Sequence, residues 1–302
     1  MNLLGSWCVT TGHKFRWCIQ LIAMIMGGAI ASPVLAADPP EWSAQVKPFR
    51  IAGDGYYVGT KGLAASLIMS KSGAILLDGT LARNATQIER NIESLGVPLH
   101  RVRILISDHA HEDHIGAMAR IKRDTGARFL ASAGDRWALE HGRNQGDNNY
   151  GIRRFAPINV DGIVSDGQVI RLGGVALTAH LTPGHTRGCT SWSMSVNDRG
   201  TQRRVLFLCS ITVAGNTLIG NQAYPGIVRD YRATFAQLAA MRADIVLTSH
   251  PEMADVLERE ARRKAGEQNA FIDPQLLSGL VAAYRSDFEG ALTKAQGAAK
   301  HR

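Results

Sequence analysis

The side chains best suited to chemistry lie in one short stretch, DHAHEDH, at positions 108–114. These seven residues include three histidines and three acidic groups. A folded core does not easily bury so many ionisable groups, because removing charges from water is costly. Imidazole and carboxylate groups together suit zinc, so the stretch predicts a metal site.

The spacing inside this stretch favours two metal ions over one. His109 and His111 are two residues apart and face the same way in an extended chain, whereas Asp113 and His114 are adjacent and point to different places. One ion cannot easily take all four side chains from so short a loop. Two ions a few Å apart can share one hydroxide and stabilise both the attacking oxygen and the leaving group.

Further candidate residues follow three later strands of the predicted fold. Segments that read as strands end just before Pro183-Gly184-His185, at Ser210 and at His250, while another strand runs into the histidine-rich stretch. Polar sites collect at the carboxyl ends of strands in sheets that are covered by helices. We therefore expect two sets of three ligands, each with one open position for water. The first set is His109, His111 and His185, and the second is Asp113, His114 and His250.

The order of the predicted elements indicates the fold class. Short strands separated by Gly and Ser punctuation come first, and strands then alternate with helices such as 85–96, 115–126 and 228–242. This mixture favours an α/β or mixed sandwich over an all-helical or all-β fold. The polar segment 143–157 is long enough for a functional lid or a disordered loop.

The amino terminus has the features of an export signal. Lys14 and Arg16 precede the apolar run 18–31, and SPVLA ends in small residues at Ala36. A membrane anchor is the alternative, but the run is short for a span of about 20 residues. We expect residues 1–36 to be a signal peptide cleaved after Ala36, residues 37–302 to form a single domain, and the protein to be periplasmic.

Composition limits the partners. Hydrophobic residues make up 45% and charged residues 20% of the chain, as in an ordinary globular protein. The formal net charge is +8, but the basic residues are scattered and form no long run. A solvated basic surface is favoured over a nucleic-acid interface. We expect a small-molecule substrate, no nucleic acid, no membrane span once the leader is removed, and a monomer.

The motifs together resemble one family. HAHEDH, TPGHTRGCTSW, CSITVAGN, AYPGIVRDYRATF and DIVLTSHP follow one another as in the third subclass of metallo-β-lactamases, the dizinc kind without a cysteine ligand. The resemblance covers roughly residues 45–260. It implies an α/β fold, the four-layer αβ/βα metallo-β-lactamase sandwich, and zinc-dependent hydrolysis of the β-lactam amide bond by a metal-bridging hydroxide, conferring antibiotic resistance.

The resemblance also implies roles for individual residues. Carried over, the six ligands above hold two zinc ions per chain, with Asp113 also catalytic, and Ser210 and Thr212 contact the substrate carboxylate. Cys189 and Cys209 remain after leader removal and are a candidate disulfide, which close relatives of this pattern carry. Arg187 stands where many relatives have Pro, and SHPEMADV departs from their glycine- and serine-rich stretch. These departures leave local substrate contacts open.

Three alternatives compete with this interpretation. A thioesterase of the glyoxalase II type or a lactonase resembles the chain at the same motif, but carries a bridging Asp on the strand after the third histidine, and residues 205–216 contain no carboxylate. A metal-dependent nuclease would suit the basic charge, yet no clustered basic groove is evident. A noncatalytic zinc protein is disfavoured, because structural sites are closed.

Overall fold

The computed structural model describes residues 37–300, and this range forms two β-sheets flanked by helices. The strands are β1 (Phe49–Ala52), β2 (Gly55–Tyr57), β3 (Ser66–Ser70), β4 (Gly73–Leu77), β5 (Val102–Ile106), β6 (Arg128–Ser132), β7 (Gly162–Val164), β8 (Val169–Leu172), β9 (Val175–Leu181), β10 (Thr190–Asp198), β11 (Thr201–Leu208) and β12 (Ile245–Thr248). The α-helices are α1 (Ala85–Ser94), α2 (Glu112–Ile115), α3 (Met118–Thr125), α4 (Ala133–His141), α5 (Ile227–Ala240), α6 (Val256–Lys264) and α7 (Leu276–Lys300). Short 3₁₀ helices span Pro40–Trp42, Ala82–Asn84, Leu99–Arg101 and Pro251–Ala254.

Each sheet comes from one half of the chain. The first sheet runs β1 to β7 in chain order, antiparallel up to β4 and parallel from β4 to β7. The second runs β8 to β12 in chain order and is antiparallel except for the parallel pair β11 and β12. The chain therefore passes between the sheets at the short connection from β7 to β8.

Three apolar layers separate four layers of secondary structure, which confirms the predicted αβ/βα sandwich. In the outer layer on one side, Ile88 of α1 and Ile121 of α3 pack against the first sheet. In the middle layer, residues such as Ile75 and Trp192 join the two sheets face to face. In the third layer, Phe235 and its neighbours on α5 and α7 cover the second sheet.

The composition of strand β4 explains why it lies in the interior of the first sheet. All five of its residues, GAILL, are buried. Ala74 and Leu76 face the helix-covered layer, whereas Ile75 and Leu77 face the other sheet, because side chains alternate along a strand. A strand buried on both faces is a continuous apolar run, as parallel strands in helix-covered sheets usually are.

Strand directions bring the expected site residues to one edge. Strands β9 and β11 both pair antiparallel with β10 and so run the same way, and β12 runs parallel to β11. The carboxyl ends of β9, β11 and β12 therefore meet at one edge of the second sheet. His185, Ser210 and His250 follow these three ends.

The predicted leader, residues 1–36, lies outside the described part of the chain, so its cleavage and the single-domain assignment of 37–302 stay predictions. None of the helices found within residues 37–300 is both long enough and apolar enough to cross a membrane. Helices α6 and α7 were not predicted from the sequence. In α7 the buried residues Leu277, Val281, Phe288 and Leu292 are widely spaced among small and polar ones, which weakens the helical pattern.

A disulfide joins Cys189 and Cys209, whose Cα atoms are 6.0 Å apart. Cys189 directly precedes β10 and Cys209 directly follows β11, which pair in the second sheet. Both residues are fully buried. The bond therefore connects the turn that carries His185 to the strand end that carries Ser210.

Removing this disulfide should lower the free energy of unfolding by about 3 kcal/mol, because a loop of this length no longer restricts the unfolded chain. The Cys189→Ala/Cys209→Ala variant should show this loss in urea unfolding monitored by circular dichroism. The wild-type protein should behave like the variant once it is reduced. Equal stability of wild type and variant under oxidising conditions would show that the bond adds nothing.

Candidate metal centre

The first expected ligand set comes together at the edge of the sandwich. His109 and His111 lie in the turn between β5 and α2, and His185 lies in the turn after β9. One ligand atom from each of the three side chains lies within 4.8 Å of the others. Nε2 of His185 is 3.2 Å from Nδ1 of His111. Three imidazoles from both halves of the chain thus face one point.

The second expected set also comes together. Asp113 and His114 lie in the first turn of α2, and His250 follows β12. Their ligand atoms lie within 4.8 Å of one another. Oδ2 of Asp113 is 3.2 Å from Nε2 of His114 and 3.4 Å from Nε2 of His250.

Two rings of the first set have one nitrogen bonded to the protein and the other directed into the site. Nδ1 of His109 lies 2.9 Å from Oδ1 of the buried Asp108. Nδ1 of His185 lies 2.9 Å from the backbone oxygen of Thr212, which also accepts a hydrogen bond from the Tyr231 hydroxyl. Such contacts select the tautomer in which Nδ1 carries the proton, so Nε2 has a free lone pair.

Buried polar atoms without partners indicate that a ligand belongs here. Nε2 of His109 and Nδ1 of His114 are buried and lack a hydrogen-bond partner within the described chain, and the ion-pair partner of His114 Nε2 is the Asp113 carboxylate. An unpaired buried polar group is costly, and a cation would satisfy these atoms. Five imidazoles and one carboxylate are nitrogen and oxygen donors of the kind that zinc prefers. The residues present therefore fit a zinc site.

A buried carboxylate outside both sets connects their turns. Asp135, in the first turn of α4, accepts hydrogen bonds from the backbone N–H of Ala110 at 2.9 Å and of Gly188 at 2.9 Å, and from the Thr186 hydroxyl at 3.0 Å. Gly188 has to be glycine, since a Cβ there would collide with the backbone nitrogen of Asp135 and with Ser132 Oγ. Asp135 therefore aligns the His109–His111 turn with the His185 turn.

Hydrogen bonds between the halves hold the same edge together. The indole N–H of Trp192 donates to the backbone oxygen of Ser107 at 3.1 Å. The backbone N–H of Thr190 donates to the backbone oxygen of Asp108 at 2.8 Å. Both bonds join β10 or its start to the end of β5. The distance between ligands from the two sheets is therefore set by rigid elements.

The three imidazole rings of the first set are uncharged near neutral pH. Burial lowers the pKa of His109 to about 4 and the pKa of His111 and of His185 to about 3, and the neighbouring rings reinforce the effect. Burial has this sign because it disfavours the charged imidazolium. Near neutral pH these rings have lone pairs available for a metal.

The second set contains an ion pair. Burial disfavours charge on both partners, but the carboxylates of Asp113, Asp108 and Asp78 raise the pKa of His114 to about 10. Against the same cost of burial, His114 and His250 hold the pKa of Asp113 well below its usual range. A metal bound here would have to displace the proton of His114, so its affinity would depend on pH.

Both sets open into one pocket with a volume of about 540 Å³. Ser210 and Thr212, the predicted substrate contacts, lie on its wall with their hydroxyl oxygens 3.0 Å apart. The other lining residues outside the two sets are Asp38, Pro39, Trp42, Leu81, Glu112, Tyr150, Arg153, Ala214, Glu252 and Met253. The pocket is therefore large enough for a small organic substrate next to the ligands.

Several residues at or near the site have no recognisable motif in the sequence. Trp42 lies 5.6 Å from His250, ring centre to ring centre, although it is remote in sequence. Asp135 and Tyr150 have no motif around them, and only the fold reveals their contacts. The one available signal was the length and polarity of segment 143–157, which contains Tyr150.

The sequence model described as the metallo-β-lactamase superfamily matches residues 62–250. This range contains all six candidate ligands. The structure of BJP-1 from Bradyrhizobium japonicum, described as a subclass B3 metallo-β-lactamase, shares 41% sequence identity, with 86% of this chain and 98% of that one covered and a TM-score of 0.81. This chain belongs to the metallo-β-lactamase superfamily, in subclass B3. As a member of that subclass it is a metal-binding hydrolase.

Two other structures in this family are similar. FEZ-1 from Legionella gormanii shares 36% identity, with 84% of this chain and 98% of that one covered and a TM-score of 0.80. A Cronobacter sakazakii metallo-β-lactamase described by a HARLDQ motif shares 38% identity, with 84% and 97% covered and a TM-score of 0.80. Where that motif has arginine and glutamine, the HAHEDH of this chain has His111 and His114. Proteins with this fold can therefore differ in their metal-ligand residues. This chain has imidazoles at both positions.

Replacing Asp135 by asparagine should destabilise the fold and loosen the site. The amide has one acceptor oxygen, so at least one of the three donors loses its partner, at a cost of about 1–3 kcal/mol. Urea unfolding in the presence of a chelator measures this cost without a contribution from metal. As a control, Asp166→Asn changes an exposed carboxylate that accepts one backbone hydrogen bond and should change stability by about 0.5 kcal/mol or less. Equal behaviour of the two variants would contradict the alignment role.

Proposed function

We propose that this protein hydrolyses the amide bond of β-lactam antibiotics, using two zinc ions. Three side chains, His109, His111 and His185, hold the first ion, and the second is held by Asp113, His114 and His250. One observation carries the proposal: two complete ligand sets share one open pocket with a pair of hydroxyl donors.

The residues around the reaction have separable tasks. Zinc held by the two sets would supply a water that is acidic near neutral pH, and Lewis acids for the carbonyl and the departing nitrogen. Asp113, whose carboxylate stays ionised, is a ligand in the second set and accepts a hydrogen bond from the attacking water. No serine nucleophile is needed, so Ser210 is left to bind the substrate.

Substrate binding is assigned to Ser210 and Thr212. β-Lactams carry a carboxylate beside the ring nitrogen, and two hydroxyl donors 3.0 Å apart can both reach it. Arg153 also lines the pocket, but its guanidinium lies 3.6 Å from Asp38 and 3.9 Å from Glu112. Its charge is therefore balanced, which favours the hydroxyls as the carboxylate anchor.

The main alternative is a thioesterase of the glyoxalase II type or a lactonase. In such enzymes a carboxylate after the third histidine bridges both metals. In the part of the chain that the structure describes, the two ligand sets contain a single carboxylate, Asp113. The strand end in question carries instead Cys209, which forms the disulfide, and Ser210. This difference supports a β-lactam substrate.

The site of action follows from the predicted leader. Export, removal of residues 1–36 and a monomeric enzyme in the periplasm are part of the proposal. This location would place the enzyme between the outer surface of the cell and the cell-wall enzymes that β-lactams inhibit, where hydrolysis confers resistance. Oxidising conditions there also suit the Cys189–Cys209 bond.

The proposal predicts zinc-dependent turnover of β-lactams. The purified protein should hold two zinc ions per chain by elemental analysis, and should hydrolyse a carbapenem or a cephalosporin but not a glutathione thioester. A chelator should abolish this activity. His111→Ala should lower kcat/KM by about 100-fold or more, since a ligand of the first ion is lost and several kcal/mol of transition-state stabilisation depend on that ion.

The matched control is His141→Ala, which removes an exposed histidine from the end of α4, away from the pocket. This variant should retain full activity and zinc content. Activity that persists in carefully purified protein without zinc would refute the metal mechanism. Preferential hydrolysis of the thioester would instead favour the alternative function.

The hydroxyl pair can be tested separately from the metals. The Ser210→Ala/Thr212→Ala variant should raise KM by about 10-fold or more and change kcat less, because each hydrogen bond to a charged acceptor contributes about 1.5–3 kcal/mol. The backbone oxygen of Thr212 that contacts His185 is retained in this variant. Ser195→Ala, which removes an exposed hydroxyl on β10, is the control. Unchanged KM for several β-lactams would reject this assignment.

A further inference from the structure

The two ring nitrogens of His111 have different neighbours. Nδ1 lies 3.2 Å from Nε2 of His185, inside the first ligand set. Nε2 lies 3.1 Å from the hydroxyl oxygen of Tyr150. The rings of His111 and Tyr150 are nearly perpendicular, at 83°, with centres 5.9 Å apart. The phenol therefore contacts the edge of the imidazole that faces away from the other ligands.

This contact completes a pattern in the first set. His109 is held by the side chain of its sequence neighbour Asp108, and His185 is held by the backbone of Thr212. His111 follows the same rule of one bonded nitrogen and one free nitrogen. Its partner, however, is a side chain 39 residues away, in a segment without a helix or strand.

The segment that carries Tyr150 is tied to the opposite wall of the pocket. The backbone N–H of Asn149 donates to Gly215 O at 3.1 Å, and that of Thr217 donates to Asp147 O at 2.8 Å. The Asp147 carboxylate also accepts from the backbone N–H of Gln222 at 2.8 Å. These bonds attach the loop to the segment just beyond Ser210 and Thr212.

A second group of contacts closes the loop on itself. Asn144 accepts a hydrogen bond from the backbone N–H of Arg153 at 2.8 Å and donates one to Gly151 O at 3.1 Å. The chain on both sides of Tyr150 is therefore bonded in place. The phenol is half-buried and is held at a defined position relative to His111 rather than free in solvent.

We propose that Tyr150 is a positioning residue for the first metal site, acting through His111. A neutral imidazole has one N–H, and a hydroxyl oxygen can accept it. When Nε2 of His111 donates to Tyr150, Nδ1 keeps its lone pair and faces His109 and His185. The phenol thereby selects both the tautomer and the orientation of the ring, as outer partners of metal-bound histidines do.

This inference rests on the metal-binding part of the proposed function and not on the identity of the substrate. It gives the 143–157 segment a task that neither a cover over the pocket nor a disordered linker would have. Because the same segment is bonded to the loop after Thr212, a displacement of that loop would also reach His111. Tyr150 thus connects the substrate-binding wall to the first metal site.

The test compares Tyr150→Phe with Tyr224→Phe. The first variant loses only the hydroxyl that contacts His111. The second loses a hydroxyl that donates to Asp230 at 2.7 Å, outside the pocket. Zinc binding to metal-depleted protein is measured by competition with a chromophoric chelator, and the absorption spectrum of the cobalt-substituted protein reports the ligand geometry. Circular dichroism checks that both variants fold.

Tyr150→Phe should bind zinc at the first site about 10-fold more weakly, with the second binding constant unchanged and an altered cobalt spectrum. Its kcat should fall at limiting zinc and recover with excess zinc, while KM stays the same. Tyr224→Phe should match the wild type in all these measurements. This combination would establish a positioning role, because a purely structural effect would not be confined to one binding constant.

Four results would overturn the inference. Unchanged zinc affinity with a raised KM would make Tyr150 a substrate contact. Equal losses in both tyrosine variants would show a general effect of removing a partly buried tyrosine hydroxyl. If Tyr150→Phe binds zinc normally while His111→Ala does not, the inference falls and the proposed function stands. Absence of zinc binding by the wild-type protein would remove both.

Discussion

A histidine can serve a metal only if one ring nitrogen keeps its lone pair and points inward, and the edge of this sandwich is built around that requirement. An imidazole has two tautomers and rotates freely in solution, so the protein must fix both its tautomer and its orientation. At His109 a hydrogen bond to a buried carboxylate fixes them, and at His185 a hydrogen bond to a backbone oxygen does so. Each partner lies in the same half of the chain as its histidine, but His109 and His185 follow strands of different sheets, so the ligand geometry depends on the sheets being correctly stacked.

Electrostatics divides the two sets. Neutral rings can be buried together at modest cost, and burial keeps the first set neutral. The second set contains charge, which is tolerated because Asp113 and His114 compensate each other. Asp135 adds a further buried carboxylate, stabilised by three donors. The protein thus accepts several buried polar groups at one edge, and three large apolar layers elsewhere offset that cost.

Much of this architecture could be predicted from local patterns of residue type in the sequence. Strand β4 is a short continuous apolar run bounded by turn residues, helix α3 has its apolar residues on one face, and the histidine-rich stretch has few structural explanations. Helix α7 escaped prediction because its buried residues are sparse and its partners on α5 lie far away in sequence. Asp135 and Tyr150 escaped for a related reason. Their roles consist of contacts between segments that only the folded chain brings together, and no local spacing encodes such contacts.

The passage between the sheets at the short β7–β8 connection has a consequence for assembly. Each ligand set takes members from both halves, and His111 and His185 are 74 residues apart along the chain. An ion bound at either proposed set would therefore link the halves reversibly, and it would stabilise only the joined form. Two fragments divided at that connection would each hold an incomplete set. The two fragments would therefore be expected to associate more tightly in the presence of zinc than in its absence, because only the associated form has complete ligand sets.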